Sequence, residues 1–194
     1  MSESQQKMLN SVKDIQRIET ELWNSYWQQY SGFSDWQFWV LAALFVLPLI
    51  VLFFAIDKRK ALLIGFYGYN VHVFFTYVDA IGANMIKWFY PYKIFPILAS
   101  SVSLDVSLVP VTYMLVYQFT LNRDKNYYLF LLLLSAVFAF IFKPLLVAIG
   151  LFEMDSGTNY FSLFIGYVVV GLIAKWITNL FLYFEKKAHN RNRD

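Results

Sequence analysis

The sequence predicts an all-α polytopic transmembrane helix bundle of five spans preceded by an amphipathic interfacial helix. Three observations carry that reading. The 194 residues are 59% apolar and 15% charged, with mean hydropathy +0.49; soluble domains hold about 45–50% apolar and about 25% charged residues. Aromatic residues make up 21% of the chain, more than a soluble core of this size could hide. The apolar residues also gather into stretches of the ~20 residues that a helix needs to cross a ~30 Å hydrocarbon layer.

Residues 1–35 read as an amphipathic N-terminal tail. They are too polar to be a signal sequence, since no apolar run follows Lys7 before Gln37. Met8, Val12, Ile15, Ile18, Leu22 and Tyr26 recur at steps of three and four and share one helix face. Trp23, Trp27, Tyr30, Phe33, Trp36 and Trp39 add rings suited to a headgroup region. Two readings stand side by side: a helix lying on the bilayer surface, or one docking a partner.

The five-helix domain occupies residues 36–185. Its first span, Gln37 to Ile56, holds no charge. The others run from Ala61 to Met85 with Asp79, from Ile94 to Leu121 with Asp105, from Tyr127 to Leu151 with Lys143, and from Tyr160 to Phe184 with Lys175. A charge near mid-bilayer costs at least ~2.5 kcal/mol, so four of them call for a reason. The acidic loop Glu153, Asp155, Ser156 and Gly157 reads as an ordinary turn, because a calcium loop needs more ligands at alternating positions.

Orientation follows from the basic residues of the connections. One side receives Lys58, Arg59, Lys60, Arg123, Lys125 and the basic tail 186–194 with Lys186, Lys187, Arg191 and Arg193; the other receives fewer, Lys7, Lys13, Arg17, Lys87 and Lys93. The positive-inside rule puts the first side in the cytoplasm, with the N-terminus outside.

Inside the spans, Gly65, Gly68, His72, Thr76, Asp79 and Ala83 form one small and polar stripe that must face protein or water. Asp105 shares a face with Ser101 and Thr112, opposite Ala99, Ser103 and Ser107, which places its helix centrally in the bundle. Pro110 and Pro144 each free a carbonyl, that of Phe140 in the second case. Gly171, Lys175, Thr178 and Asn179 come together in the last span. The candidate buried network is therefore His72, Thr76, Asp79, Ser101, Asp105, Lys143, Lys175 and Asn179. At a rise of about 1.5 Å per residue, Asp79 lies ~9 Å from the outer boundary, Lys143 ~12 Å, Asp105 ~17 Å, His72 ~20 Å and Lys175 ~22 Å. The least-offset pairs are Asp79 with Lys143 and Asp105 with Lys175; Asp105 with Lys143 is nearly as good. Such charges serve either as structural ion pairs or as a proton or ion site.

Enzyme motifs are thin. There is no phosphate-binding glycine loop, no histidine pair at metal spacing and no Gly-x-Ser-x-Gly. Two intramembrane aspartates, one in Tyr77-Val78-Asp79, weakly resemble an aspartyl protease pair, but Ser103-Leu104-Asp105 stands where a Gly-x-Gly-Asp element is needed. With no cysteine, thiol chemistry is excluded. The expectation is a protein that is not an enzyme and carries no cofactor and no metal. Its partner is the lipid bilayer, with a membrane-protein partner or a second copy as further candidates and no nucleic acid. It either passes protons or a small solute, or signals across the membrane; the alternative is a structural or interaction subunit.

Four segments, Phe54-Ala55-Ile56-Asp57-Lys58-Arg59-Lys60, Tyr90-Pro91-Tyr92-Lys93, Ser103-Leu104-Asp105-Val106-Ser107-Leu108-Val109-Pro110 and Phe142-Lys143-Pro144, together resemble a family of small, uncharacterised multispanning membrane proteins of spore-forming Gram-positive bacteria. The resemblance covers roughly residues 36 to 186 and implies a bacterial plasma or spore membrane; it brings no activity, ligand or catalytic residue with it.

Overall fold

The computed structural model describes residues 1–155 and 157–191. Ser156 of the acidic loop and residues 192–194 of the basic tail, Arg193 among them, lie outside the described residues. In chain order the elements are α1 (Glu3–Tyr30), α2 (Trp36–Ala55), α3 (Ala61–Asn84), β1 (Trp88–Phe89), α4 (Ser103–Asn122), α5 (Tyr127–Ala148), β2 (Glu153–Met154) and α6 (Tyr160–Arg191). The last five helices are long and apolar enough to cross a membrane.

The helices earn their places through what their sequences can bury. The apolar α2 stays at the edge, with only Phe38 and Leu41 buried. By contrast, 56% of the apolar window of α4 is buried, against 17% for α2, so α4 is the central helix, as its two polar faces predict. Close approach to α4 relies on Gly68 of α3, where a Cβ would strike the Met114 side chain; Gly171 of α6 meets Leu131 of α5 in the same way. Tyr67, Tyr113 and Tyr117 fill the space between them and are fully buried.

Both ends are stitched by polar groups. At the basic end, the Asp57 amide donates to Gln118 Oε1 at 2.7 Å, Gln118 Nε2 donates to the Ala55 carbonyl at 2.9 Å, and Asn122 Nδ2 donates to the Asp57 carboxylate at 3.1 Å. At the opposite end β1 and β2 pair antiparallel, Trp88 opposite Met154 and Phe89 opposite Glu153. The acidic loop expected to be a plain turn therefore contributes a strand. Its approach is set by Gly150, whose φ of +73° caps α5 in the left-handed region. There the Leu151 amide reaches the Leu146 carbonyl at 2.8 Å and the Gly150 amide that of Val147 at 3.0 Å.

Three sequence boundaries change. The third span does not begin at Ile94: residues 94–101 form no helix, and the helix of the span is set from Ser103. Pro96 has no amide to give a helix, and the Ser101 amide is committed to the Asp79 carboxylate at 3.2 Å. Asp105 consequently sits in the first turn of α4 and not near mid-depth. The fourth span ends at Ala148 where Leu151 was expected. The basic tail expected at 186–194 continues α6 through Arg191, since nothing between Phe184 and Arg191 breaks a helix.

Two widened turns complete the picture. Ser103–Leu108 of α4 and Phe138–Phe142 of α5 are π-helical. The Val109 amide reaches back to Leu104 and the Lys143 amide to Phe138, and Pro110 and Pro144 follow directly. In that register the amide that each proline lacks would have met the carbonyl of Asp105 in α4 and of Ala139 in α5, one residue earlier than α-helical spacing gives. π-Bulges often accompany functional positions, and here one contains Asp105 and the other ends at Lys143.

Candidate functional site

Asp79 lies near the end of α3 and is 4% exposed. Its Oδ1 accepts from Trp88 Nε1 at 2.9 Å and from the Tyr90 hydroxyl at 2.7 Å, and its Oδ2 from the Ser101 amide at 3.2 Å. Trp88 and Tyr90 are two apart on extended chain, so both side chains leave on the same side. Gly82, almost one turn beyond Asp79, makes room for the Trp88 indole, which a Cβ there would strike. Burial, followed by the adjacent Asp79 carboxylate, pushes the Tyr90 phenol well above its ordinary pKa, so it stays a hydroxyl donor.

Lys143 Nζ donates to the Tyr90 hydroxyl at 3.1 Å and lies 3.5 Å from the centroid of the Phe152 ring. Tyr90 thus takes a hydrogen bond from the ammonium and gives its own to Asp79. The expected Asp79 and Lys143 pair is bridged by a hydroxyl; among the described residues the one direct ion pair is the exposed Arg17 with Asp14, at 3.4 Å.

Asp105 departs furthest from expectation. It is 1% exposed, and neither carboxyl oxygen has a hydrogen-bond partner. The charged groups around it are Asp79 and Lys143, with Ser100 close by; Lys175 is not among them. Its backbone carbonyl, which Pro110 leaves without an amide, accepts from His72 Nδ1 at 2.9 Å. An acceptor carbonyl places the His72 proton on Nδ1, and Thr76 Oγ1 lies 3.3 Å from that nitrogen. His72 and Thr76 therefore serve the backbone of α4; they do not lead to Asp79 along their own helix.

Lys175 belongs to a separate group nearer the basic end. Its Nζ donates to the Tyr117 hydroxyl at 3.2 Å. Beside it the Tyr67 and Tyr127 hydroxyls are 2.7 Å apart, and Tyr127 donates to the Gly171 carbonyl at 2.9 Å. Between the two groups Tyr113, Phe138 and Tyr167 stack, with centroids 6.3 Å and 5.3 Å apart. Asn179 is exposed and joins neither group, and Ser101 contributes its amide to Asp79. Trp88, Tyr90, Tyr117 and Tyr127 were not expected as site residues. The spacing of Trp88 and Tyr90 in a short polar-flanked segment was a usable signal; the tyrosines inside the spans carried none, because apolar periodicity counts them as core.

A cavity of about 310 Å³ opens at the hairpin end and reaches Asp79 and Lys143, with Lys87, Trp88 and the start of α6 forming its sides. Among the described residues no group of three His, Asp or Glu side chains could hold a metal ion.

The last turns of α1 dock on the same end. Trp27 Nε1 donates to the Lys93 carbonyl at 2.8 Å, the Lys93 amide donates to Ser31 Oγ at 3.1 Å, and Lys93 Nζ stands 3.5 Å from the centroid of the Trp23 ring. Burial lowers the Lys93 pKa to about 8, against the weaker opposing pull of Glu19 and Asp79. The folded value lies below the unfolded one, so between about pH 8 and the ordinary lysine value of about 10.4 the unfolded chain binds more protons. The contribution of Lys93 to stability accordingly rises with pH across that window. Thermal unfolding in detergent should show a rise that Lys93→Met removes; identical pH profiles for the two proteins would show that the burial of Lys93 does not matter.

These helices and this centre define a helical bundle of membrane-spanning proportions with a buried acid and lysine group at one end. Comparison with protein-family models, curated proteins and solved structures finds no match.

Proposed function

We propose that this chain is a multi-pass protein of a bacterial plasma membrane, N-terminus outside and C-terminus in the cytoplasm, whose Asp79, Asp105 and Lys143 centre takes up and releases a proton. Proton or small-solute passage, or a signal tied to it, depends on that exchange. The observation that carries the reading is the Asp105 carboxyl, buried without a donor beside a second carboxyl and one ammonium. Two acids and one lysine reach neutrality when a single proton is held between the acids, and a carboxyl that has no donor is the one suited to carry it. The cavity ending on Asp79 and Lys143 supports access from the outer end.

The orientation is tested by reporters fused after Arg59, Lys125 and Asp194, all of which should read cytoplasm; an external signal from any of them overturns it. Purified protein in liposomes should show proton or solute flux.

A second reading, a non-catalytic structural or interaction subunit, is favoured by α1. Its Met8, Ile15 and Leu22 are 72%, 65% and 65% exposed, an apolar face suited to the bilayer surface or to a partner. A stoichiometric partner on purification, without flux, would favour that reading.

A further inference from the structure

We infer that the cavity at the hairpin end binds a phosphate group, carried by a small solute or by a lipid headgroup, between Lys87 and Lys143. The inference rests on the cavity being the outward entrance to the centre, but it does not require the proton step.

The hydrogen-bonding capacity of the walls points to this chemistry. Asp79 is the acid of the cavity wall, and its two oxygens already accept from Trp88, Tyr90 and Ser101. It has little left to offer a cationic ligand. Lys143 is 3% exposed and gives one hydrogen bond, to Tyr90, of the three its ammonium can make. Lys87 adds a second ammonium to the wall and, among the described residues, has no ion-pair partner. Thr158 adds a hydroxyl. The walls thus offer donors in excess and carry two positive charges against one negative. A ligand that brings several acceptor oxygens and negative charge satisfies both conditions, and a phosphate, with more acceptor oxygens and more charge than a two-oxygen carboxylate, suits a wall with two ammonium groups and a hydroxyl.

Size and position agree. A volume of about 310 Å³ is at the small end of ligand sites, which span about 300–1,000 Å³. Val78, 43% exposed, belongs to the rim, so the cavity meets the outer surface of α3, where a lipid tail could emerge. Gly166 also belongs to the wall, and a Cβ there would meet nothing within 4 Å.

The test uses the full chain. Thermal unfolding in detergent is followed while inorganic phosphate is raised against chloride at constant ionic strength. A second arm compares micelles of a phosphate-free maltoside detergent with and without added phosphatidylglycerol. A saturable rise in the unfolding midpoint with phosphate identifies a soluble source; a rise with phosphatidylglycerol alone identifies a headgroup; either supports the site. Lys87→Gln, at an exposed side chain, should weaken the effect about tenfold, the loss of one charge-assisted hydrogen bond. Gly166→Leu should abolish it by filling the cavity while leaving every charge in place. No saturable effect from either source, or an equal effect in both variants, overturns the inference. Asp105→Asn should keep the phosphate response; absent flux in the unsubstituted protein, with its phosphate response intact, would remove the proton reading and leave this site standing.

Discussion

Asp79→Ala is expected to destabilise the folded protein by roughly 3–5 kcal/mol, the range for removing one partner from a buried charged group. Three donors, the Trp88 indole, the Tyr90 hydroxyl and the Ser101 amide, lose their acceptor together, and each buried donor left without a partner costs about 1–3 kcal/mol. Lys143 then stands buried with no carboxylate behind Tyr90. Because Trp88 and Tyr90 bind the hairpin and Ser101 lies at the entrance to α4, the substitution should also release the whole connection between α3 and α4. Unfolding in detergent, with tryptophan emission as the local probe, measures both effects. A loss below about 1 kcal/mol, the size of one ordinary hydrogen bond, would mean that Asp79 does not hold the cap.

Asp105→Asn is expected to do the opposite: stability changes by no more than about 1 kcal/mol, while any flux is abolished. Neither Asp105 oxygen accepts a hydrogen bond, so the amide strands no donor, and Asn has the shape of a protonated carboxylic acid. If Asp105 were instead an ionised counter-ion of Lys143, the change would strand a buried ammonium and cost ~3–5 kcal/mol. Rescue by Lys143→Met would then confirm the ion pair and end the transport role for this residue. The pair of substitutions is informative because the two aspartates are neighbours of the same type, and only their donors differ.

Apolar length and spacing made the bundle readable. Four runs with one charge each and one with none already place five helices, because a lipid-sized apolar stretch has few alternatives to helix. The same signal misplaced the start of α4. Ile94 to Leu98 is as apolar as a span, and hydropathy cannot register that Pro96 lacks an amide or that the Ser101 amide is taken by a side chain distant in sequence. That one boundary moves Asp105 from mid-span to the hairpin end of the bundle and sets it beside Asp79 and Lys143, not Lys175. The polar stripe of α3 was visible, but the partners of its members were not: His72 bonds a carbonyl freed by a proline on another helix, a relation that exists only once α4 widens into a π turn. Depth along the spans matches Asp79 with Lys143, but the hydroxyl between them comes from Tyr90, in a loop where periodicity says nothing.

Infrared difference spectroscopy of the purified protein across a pH titration tests the shared proton most directly. The proposed proton site predicts the C=O stretch of a buried protonated carboxylic acid at neutral pH, shifted by deuterium exchange, lost in Asp105→Asn and retained in Lys175→Met. A spectrum with no such band, in which both aspartates absorb as carboxylates, or a band that survives in Asp105→Asn, would contradict the assignment of the exchangeable proton to Asp105.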